Sequence, residues 1–483
     1  MSTVPRTTVY EFGGFRLDSG RHVLTGPDGS PCAVAPRALE MLRYFLEQRG
    51  TLIPKAALLR AIWPDVIVTE NNLSQHISSL RRVLQDGRDA RQFIVTVPGL
   101  GFRFTTDVVE KEPEDQTWTA NDAEARRLCL QAQALIVHIR TPNLIRAIEL
   151  LQRAIARDPH FVRAHALLAN AYCTLFQIQH LSPAVAMLDT LAAAQSAAKE
   201  ALALEPGHSA AHCALGFIAM RRGRWCDAEL HFRSSLSAGT DHIDARYHAA
   251  QLLMATGRLR AALAHIEQLY ELAPADPMIV LGLSLISSLL GRDDESSLWL
   301  DLALDLGVPA TLPPVPVIRS LLERHAGSYP AACEQARILL PPPLADPAAE
   351  AHLRRIFSGL ENPDRRDDGI AALRELVARA GAVLEAGGPV LLMLVNWATL
   401  LGALDEAYEL ANRFAAMLES RKAFRGFPGS LWKPEMRSFR ADPRFHTFVS
   451  RLGLPQYWQR FGSPDGYEWT PGGLRCETGQ QAR

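Results

Sequence analysis

The chain has 483 residues, too many for a single hydrophobic core, so two or three domains are expected. Hydrophobic residues make up 48% and charged residues 21%, which fits a folded, soluble protein. A net charge of -1 excludes a polycation, although residues 1–109 carry +3 and the remainder -4. The N-terminal excess is modest, so a single copy of that region is expected to bind a polyanion weakly.

Cysteine usage and hydropathy bear on the compartment. The seven cysteines form no C-x-x-C pair, which favours free thiols in a reducing environment. The N-terminus lacks the apolar core of a signal peptide. The longest apolar runs, Pro277–Gly291 and Gly388–Leu404, are short and contain polar groups, so no membrane span is expected. The sequence therefore predicts a cytoplasmic protein.

The first hundred residues alternate short strands and helices. Strands are predicted around residues 10–12, 15–17 and 23–25, because β-branched and aromatic residues alternate there with Gly and Asp turn signals. Two helices follow, over about Pro36–Arg49 and Pro54–Trp63, with leucines at helical spacing.

A third helix and a hairpin complete this region. The helix is predicted over about residues 69–86, where one stripe is apolar and the opposite face is polar. The hairpin, over about residues 92–106, turns around Pro98-Gly99-Leu100-Gly101. Such a helix can enter a major groove while the hairpin lies over the neighbouring backbone. The alternative from periodicity alone is an ordinary amphipathic helix followed by a hairpin. The apolar stripe consists of Leu73, Ile77, Leu80 and Leu84.

Residues 9–107 resemble the OmpR/PhoB-type winged-helix DNA-binding domain. The resemblance rests on several motifs in the same order: Phe15-Arg16-Leu17-Asp18, the Pro36–Leu46 helix, Leu58-Leu59-Arg60-Ala61-Ile62-Trp63, Asn72-Leu73-Ser74-Gln75-His76-Ile77 with Leu80-Arg81-Arg82, and Thr96-Val97-Pro98-Gly99-Leu100-Gly101-Phe102-Arg103-Phe104. It implies a third helix that reads the major groove and a wing that contacts flanking phosphates or the minor groove.

The resemblance also implies roles for individual residues. Those carried over to base edges are Asn72, Gln75, Ser79 and Arg81; those carried over to phosphates are Trp63, Asn71, His76, Ser78, Thr96 and Phe102, and the cations Arg82 and Arg103 complete the predicted DNA-binding set. Gln and Asn pair well with adenine, and Arg pairs well with guanine.

Some of these assignments have alternatives. Some relatives have Arg where this chain has Ser78 and Ser79, and Pro98 replaces a wing Arg, so base preference cannot be copied from those relatives. His76 is also compatible with an ordinary surface histidine, and Trp63 with a core residue.

After a charged linker at residues 108–121, the composition turns to Ala and Leu with a repeat. Gly223, Gly257 and Gly291 are 34 residues apart, Gly327 follows after 36, and Gly402 recurs further on. Each glycine is predicted to form a tight turn between two helices. Five residues after the glycines stand small residues, and four further on come larger or apolar ones: Ala228, Ala262, Ser296, Ala332 and Ala407, then Phe232, Ile266, Leu300, Ala336 and Ala411.

This pattern resembles the tetratricopeptide repeat. Small residues let paired helices approach closely, and larger ones fill the gaps. We expect roughly six to eight units within residues 122–420, with degenerate units near 340–385. Residues 421–483 are expected to cap the array, with 465–483 frayed. The predicted fold is mainly α: an N-terminal α+β winged helix-turn-helix at 1–107, followed by an α-solenoid of helix pairs.

Motifs for catalysis and cofactors are absent from the sequence. It contains neither a phosphate-binding G-x-x-x-x-G-K-[ST] loop nor an H-E-x-x-H zinc motif. His208 and His212 stand four apart, but Pro206-Gly207 makes His208 a predicted cap, so no metal site is expected. We predict no enzymatic activity and no cofactor.

The predicted function is transcriptional regulation, and the layout resembles the HilA-like activators. The expected partners are double-stranded promoter DNA, RNA polymerase, a protein or peptide in the repeat groove, and a second copy of the chain. The alternative is a protein-interaction scaffold in which the winged helix binds protein and not DNA.

Overall fold

The described residues of the computed structural model form two compact units. The first unit holds the residues up to 120 together with Gln268–Val280 and Leu302–Val308, and the second holds the rest. Among the described residues, no helix combines the length and apolar character needed to cross a bilayer. The structure describes residues 9–19, 23–29, 31–32, 34, 36–62, 70–85, 93–111, 122–137, 141–179, 190–237, 243–312, 314–340, 344–381, 388–421, 428–470 and 472–476.

A five-stranded antiparallel sheet begins the first unit. The three predicted strands are confirmed, and two more flank them, so that the order across the sheet is residues 31–32, 23–25, 15–18, 9–12 and 109–111. The last strand pairs with the first, with Glu11 opposite Val109 and Val9 opposite Lys111. The strands are β1 (Val9–Phe12), β2 (Phe15–Asp18), β3 (Val23–Thr25), β4 (Pro31–Cys32) and β8 (Val109–Lys111).

This pairing moves a predicted boundary. Residues 109–111 were expected to begin a linker because they are charged, yet their backbone completes the edge of the sheet beside β1. Arg49 and Glu110 add an ion pair at 2.6 Å. The N-terminal module therefore extends beyond residue 107 to Lys111.

Three helices and a second sheet complete the module. The helices are α1 (Pro36–Glu47), α2 (Lys55–Ile62) and α3 (Glu70–Val83). The three-stranded sheet has the order β5 (Leu52–Pro54), β7 (Gly101–Phe104), β6 (Ile94–Val97). The predicted second helix begins at Lys55, because Leu52–Pro54 form β5 and pair with the hairpin, with Ile53 opposite Phe102. The hairpin is confirmed as β6 (Ile94–Val97) and β7 (Gly101–Phe104).

Phenylalanines from both sheets form the centre of this module. Phe12 meets Phe104 edge-on at 5.5 Å and Phe93 at 6.0 Å, and it stacks on Phe15 at 5.9 Å. All four rings are buried. Offset and edge-on aromatic contacts of this kind lock the first sheet to the hairpin that follows the third helix.

The described residues between 123 and 421 form tetratricopeptide-type helix pairs, so the predicted fold class is confirmed. The helices are α4 (Ala123–Val137), α5 (Thr141–Arg157), α6 (Val162–Gln179), α7 (Thr190–Leu204), α8 (Ser209–Arg221), α9 (Trp225–Ser237), α10 (Ile243–Ala255), α11 (Leu259–Leu272), α12 (Pro277–Leu289), α13 (Asp293–Asp305), α14 (Pro314–His325), α15 (Tyr329–Ile338), α16 (Pro347–Glu361), α17 (Arg366–Ala380), α18 (Gly388–Leu400) and α19 (Leu404–Arg421).

The predicted turn glycines join successive helices of these pairs. All five have φ between 69° and 84°, in the left-handed region where a side chain is strained. The predicted small residues after them are completely buried, and the larger ones are at most 2% exposed. A Cβ atom on Gly216 would lie 2.6 Å from the Phe232 ring, which shows how closely the paired helices approach.

The pair formed by α16 and α17 also packs closely without a glycine turn. α16 and α17 are joined by a single 3-10 turn, Pro363–Arg365, in the stretch where the repeats were expected to be degenerate. The two helices cross at Gly359 and Gly369, since a Cβ atom on Gly359 would lie 3.0 Å from the Gly369 Cα atom. Close packing is kept here by a different pair of glycines.

The C-terminal segment, residues 428–476, contacts the turns of much earlier repeats. Trp458 Nε1 donates to the Thr256 carbonyl at 2.9 Å, and Trp432 Nε1 donates to the Ala255 carbonyl at 3.1 Å. In the reverse direction, the repeat residue Trp225 donates from its Nε1 atom to the Leu452 carbonyl of the C-terminal segment at 2.6 Å. The segment contains the 3-10 turns Pro428–Trp432 and Pro434–Met436, then α20 (Arg437–Ala441), α21 (Arg444–Arg451), α22 (Leu454–Phe461), β9 (Tyr467–Thr470) and β10 (Gly473–Cys476).

The prediction that residues 465–483 are frayed is wrong for the part that the structure describes. β9 and β10 form an antiparallel hairpin. Asp465 ties its base to the repeats, because its backbone N–H donates to the Gly257 carbonyl and its carboxylate accepts from the Arg260 N–H at 2.7 Å. Residues 477–483 lie outside the described residues.

Candidate nucleic-acid interface

The third helix has one fully buried side and one exposed polar side. The predicted apolar stripe is confirmed, because its four members are at most 2% exposed. On the opposite side Gln75, Ser78 and Arg82 are exposed. The structure describes the backbone of Asn71 and Asn72 in the first turn of α3, while their side chains and the whole of Trp63 lie outside the described residues.

The hairpin that follows this helix along the chain also has exposed side chains. Thr96 and Arg103 are exposed, and Leu100 at the turn is 59% exposed. Gly101 cannot be replaced without moving β5, because a Cβ atom there would lie 2.0 Å from the Ile53 carbonyl oxygen. The wing is therefore held to the body of the domain while its tip remains accessible.

Three of the predicted contact residues lie inside the domain. His76 is 3% exposed, Ser79 9% and Phe102 5%. His76 lies beside the apolar stripe, and Phe102 lies on the same side of β7 as the buried Phe104. Side chains this buried offer almost no surface to a duplex, so the free domain does not support the assignments to bases and phosphates for these three.

Arg81 joins the third helix to the hairpin through hydrogen bonds. Its Nη2 atom donates to the Ile94 carbonyl at 2.7 Å and to Thr96 Oγ1 at 2.7 Å, and its Nε atom donates to the same carbonyl at 3.2 Å. The guanidinium group predicted to face a base is thus directed at β6.

The histidines considered for metal binding have structural roles. His208 is confirmed as the N-cap of α8, since its side chain accepts from the Ala211 N–H. His212 lies against His231, with 3.1 Å between their Nδ1 atoms, and its Nε2 atom is 3.0 Å from the Pro206 carbonyl. Among the described residues, no three His, Cys, Asp or Glu side chains are grouped as metal ligands.

The module is a winged helix of the OmpR/PhoB type. Residues 29–104 match the family model described as "Transcriptional regulatory protein, C terminal". The match covers α1, α2, α3 and the whole hairpin, and so includes both elements that carry the exposed groups described above. The chain therefore carries an OmpR/PhoB-type DNA-binding domain at its N-terminus.

Similar proteins include two transcriptional regulators. HilA of Salmonella typhimurium is 35% identical over 80 residues, which are 17% of this chain and 14% of HilA. The transcriptional activator CadC of Escherichia coli is 30% identical over 92 residues, 18% of each chain. Both matches thus span less than a fifth of the relative.

A solved structure resembles a larger share of the chain. A tetratricopeptide repeat protein from Parabacteroides merdae covers 53% of this chain and 94% of its own length, with 15% identity and a TM-score of 0.34.

Proposed function

We propose that this protein is a DNA-binding transcriptional regulator whose helix at about residues 69–86 enters the major groove. The observation that carries the proposal is the two-sided α3, with its apolar side buried and Gln75, Ser78 and Arg82 exposed on the other. The wing, at about residues 92–106, would then lie on the backbone or the minor groove.

Each accessible group has a chemical role in this proposal. Gln75 can pair bidentately with adenine, and Asn72 on the preceding turn has the same capacity. Arg82 and Arg103 are exposed cations for phosphates. Asn71, Ser78, Thr96 and Trp63 remain proposed phosphate contacts, and His76, Ser79 and Phe102 are better explained as supports of the helix and wing.

The remaining regions have proposed roles of their own. We propose residues 1–111 as the DNA-binding module, 112–121 as a linker, 122–420 as the repeat domain and 421–483 as a C-terminal cap. The repeat domain would bind a protein or peptide, or join two copies of the chain. Contact with promoter DNA implies a cytoplasmic location.

Net charge sets an expectation for affinity. Residues 1–109 carry a net charge of only +3. Each phosphate that a protein neutralises makes the slope of log K against log salt concentration more negative by about 0.9. A single module should therefore bind weakly at physiological salt. Useful affinity would require a second copy, linked through the repeats, or a contact with RNA polymerase.

The test is a footprint on selected promoter fragments with the full chain and Gln75→Ala. We expect wild-type protection that weakens steeply with salt, and a relaxed preference at one base pair in the variant. Gln48→Ala, which alters an exposed glutamine on another part of the same module, is the matched control and should change neither. Binding that ignores both sequence and salt would overturn the proposal and favour the protein-interaction scaffold.

A further inference from the structure

Resting on the proposed function, we infer that Arg81 is a positioning residue that fixes the wing to the recognition helix, and does not read a base. Its guanidinium group makes three contacts with β6, two to the Ile94 carbonyl and one to Thr96 Oγ1. The Nε and Nη2 atoms converge on the one carbonyl oxygen while Nη2 also reaches the hydroxyl, a planar arrangement that a lysine ammonium group cannot match in the same way.

The positions of these acceptors show which part of the wing Arg81 fixes. β6 is an edge strand, since the sheet order is β5-β7-β6. The Ile94 carbonyl and the Thr96 hydroxyl, two residues apart on this strand, both lie within hydrogen-bond distance of the one guanidinium group. By joining both residues to α3, Arg81 fixes the outer edge of the wing at a set distance from the helix.

The contact also orients Thr96 for DNA. A threonine hydroxyl has one donor and two acceptor lone pairs. When the oxygen accepts from Arg81, the hydroxyl hydrogen is left to point elsewhere, and Thr96 is exposed. The geometry therefore presents Thr96 as a donor to a phosphate oxygen, with Arg81 acting through it.

Arg82 provides a matched comparison. It is the neighbouring arginine on the same helix, it is exposed, and it carries the same charge. Loss of Arg82 should remove a phosphate contact and leave the wing in place. Loss of Arg81 should release the wing while the exposed face of α3 keeps its order, because the apolar stripe that seats the helix is unchanged.

Two measurements on the full chain test the inference. The first is amide hydrogen exchange at residues 94–97 without DNA, which depends on no assumption about DNA binding. We expect Arg81→Ala and Arg81→Lys to speed exchange about tenfold, the equivalent of 1.4 kcal/mol, and Arg82→Ala to leave it unchanged. Unchanged exchange in both Arg81 variants would overturn the inference.

The second measurement is a hydroxyl-radical footprint combined with base-preference mapping. Arg81→Ala should lose protection under the wing and keep the wild-type base preference, and Arg81→Lys should restore the salt dependence but not that protection. Thr96→Val, which deletes the acceptor without touching the helix, should give the same loss. Relaxed preference at a single base pair in Arg81→Ala would show that Arg81 reads a base and overturn the inference. Absence of any specific wild-type footprint would instead overturn the proposed function, and hydrogen exchange would still decide the role of Arg81.

Discussion

A carboxylate in the C-terminal segment should carry much of the attachment between that segment and the repeats. Glu435 Oε2 accepts from Arg324 and lies 3.0 Å from His325 Nε2, while His325 Nδ1 lies 2.7 Å from Asp293. Burial by itself raises the pKa of Glu435, but His325, Lys433 and Arg324 outweigh it and lower the pKa to about 2. The carboxylate is therefore charged and paired at neutral pH.

The lowered pKa gives a magnitude for the effect. The difference between the ordinary value of 4.5 and about 2, at 1.36 kcal/mol per unit, corresponds to about 3 kcal/mol. Because only 14% of the side chain is exposed, solvent screening reduces this little. Glu435→Gln keeps the shape and removes the charge, so the free energy of unfolding should fall by about 3 kcal/mol at pH 7.

The pKa shifts of Glu435 and His325 predict how the free energy of unfolding changes at low and at high pH. A lowered carboxyl pKa stabilises the fold above the unfolded value of 4.5, and this contribution is lost as the pH falls towards 2. The difference between Glu435→Gln and wild type should therefore shrink to about half at pH 3. Hydrogen bonding to Glu435 raises the pKa of His325 above 6.5. The contribution of His325 to the free energy of unfolding is complete below pH 6.5 and is lost as the pH rises through the raised pKa. Glu435→Gln should therefore also lose less stability than wild type over that rise in pH.

Urea unfolding followed by tryptophan fluorescence reports on this region, because Trp432 is in the same segment. The matched control is Glu419→Gln, a carboxylate that pairs with Arg451 at 3.0 Å but is 52% exposed. An exposed pair of this kind contributes less than about 1 kcal/mol. Equal losses in Glu435→Gln and Glu419→Gln, or a Glu435→Gln loss that is the same at pH 7 and pH 3, would refute the reasoning.

Three further predictions concern the packing, and each is tested by thermal or urea unfolding. Gly257→Ala should lower the free energy of unfolding by about 2–4 kcal/mol, because φ is +84° and the new Cβ atom would lie 2.7 Å from the Trp432 ring. Its control is Gly327→Ala, at φ +79° with open space around it, which should lower it by about 1 kcal/mol. Equal losses in the two variants would contradict this prediction. Trp458→Phe should cost about 1–3 kcal/mol by leaving a buried carbonyl without its indole donor, and a neutral result would contradict that. Leu80→Ala should cost the N-terminal module about 2–5 kcal/mol, since Leu80 is completely buried, and a loss of DNA binding without a loss of stability would show that the stripe is not its support.

Features that depend on local spacing could be predicted from the sequence. The apolar stripe of α3 follows from residues three and four apart, and the structure buries all of it. The turn glycines follow from a repeat of 34 residues, and their positive φ values confirm the turns. In both cases the signal is a regular spacing along the chain, and no contact with a distant segment is needed to recognise it.

Features that depend on distant partners could not be predicted in this way. β8 reads as a charged linker because its strand character comes from pairing with β1, about a hundred residues earlier. The hairpin of β9 and β10 reads as a frayed tail because Asp465, just before it, is held by Gly257 and Arg260. The crossing at Gly359 likewise depends on a second glycine in the next helix, with no turn glycine to mark it.

The candidate site falls between these two cases, because the burial of its three buried residues has separate causes. A helical wheel at about 100° per residue places Gln75 almost opposite the centre of the stripe and His76 about 70° from it. The burial of His76 could therefore have been predicted from its position, as could that of Phe102 from strand alternation with Arg103. Ser79 lies about 130° from the centre, as far round as the exposed Ser78 but on the other side, so its burial comes from tertiary packing that periodicity does not contain. Family motifs suggest which positions approach DNA, but the exposed side of this particular helix decides which side chains can touch it.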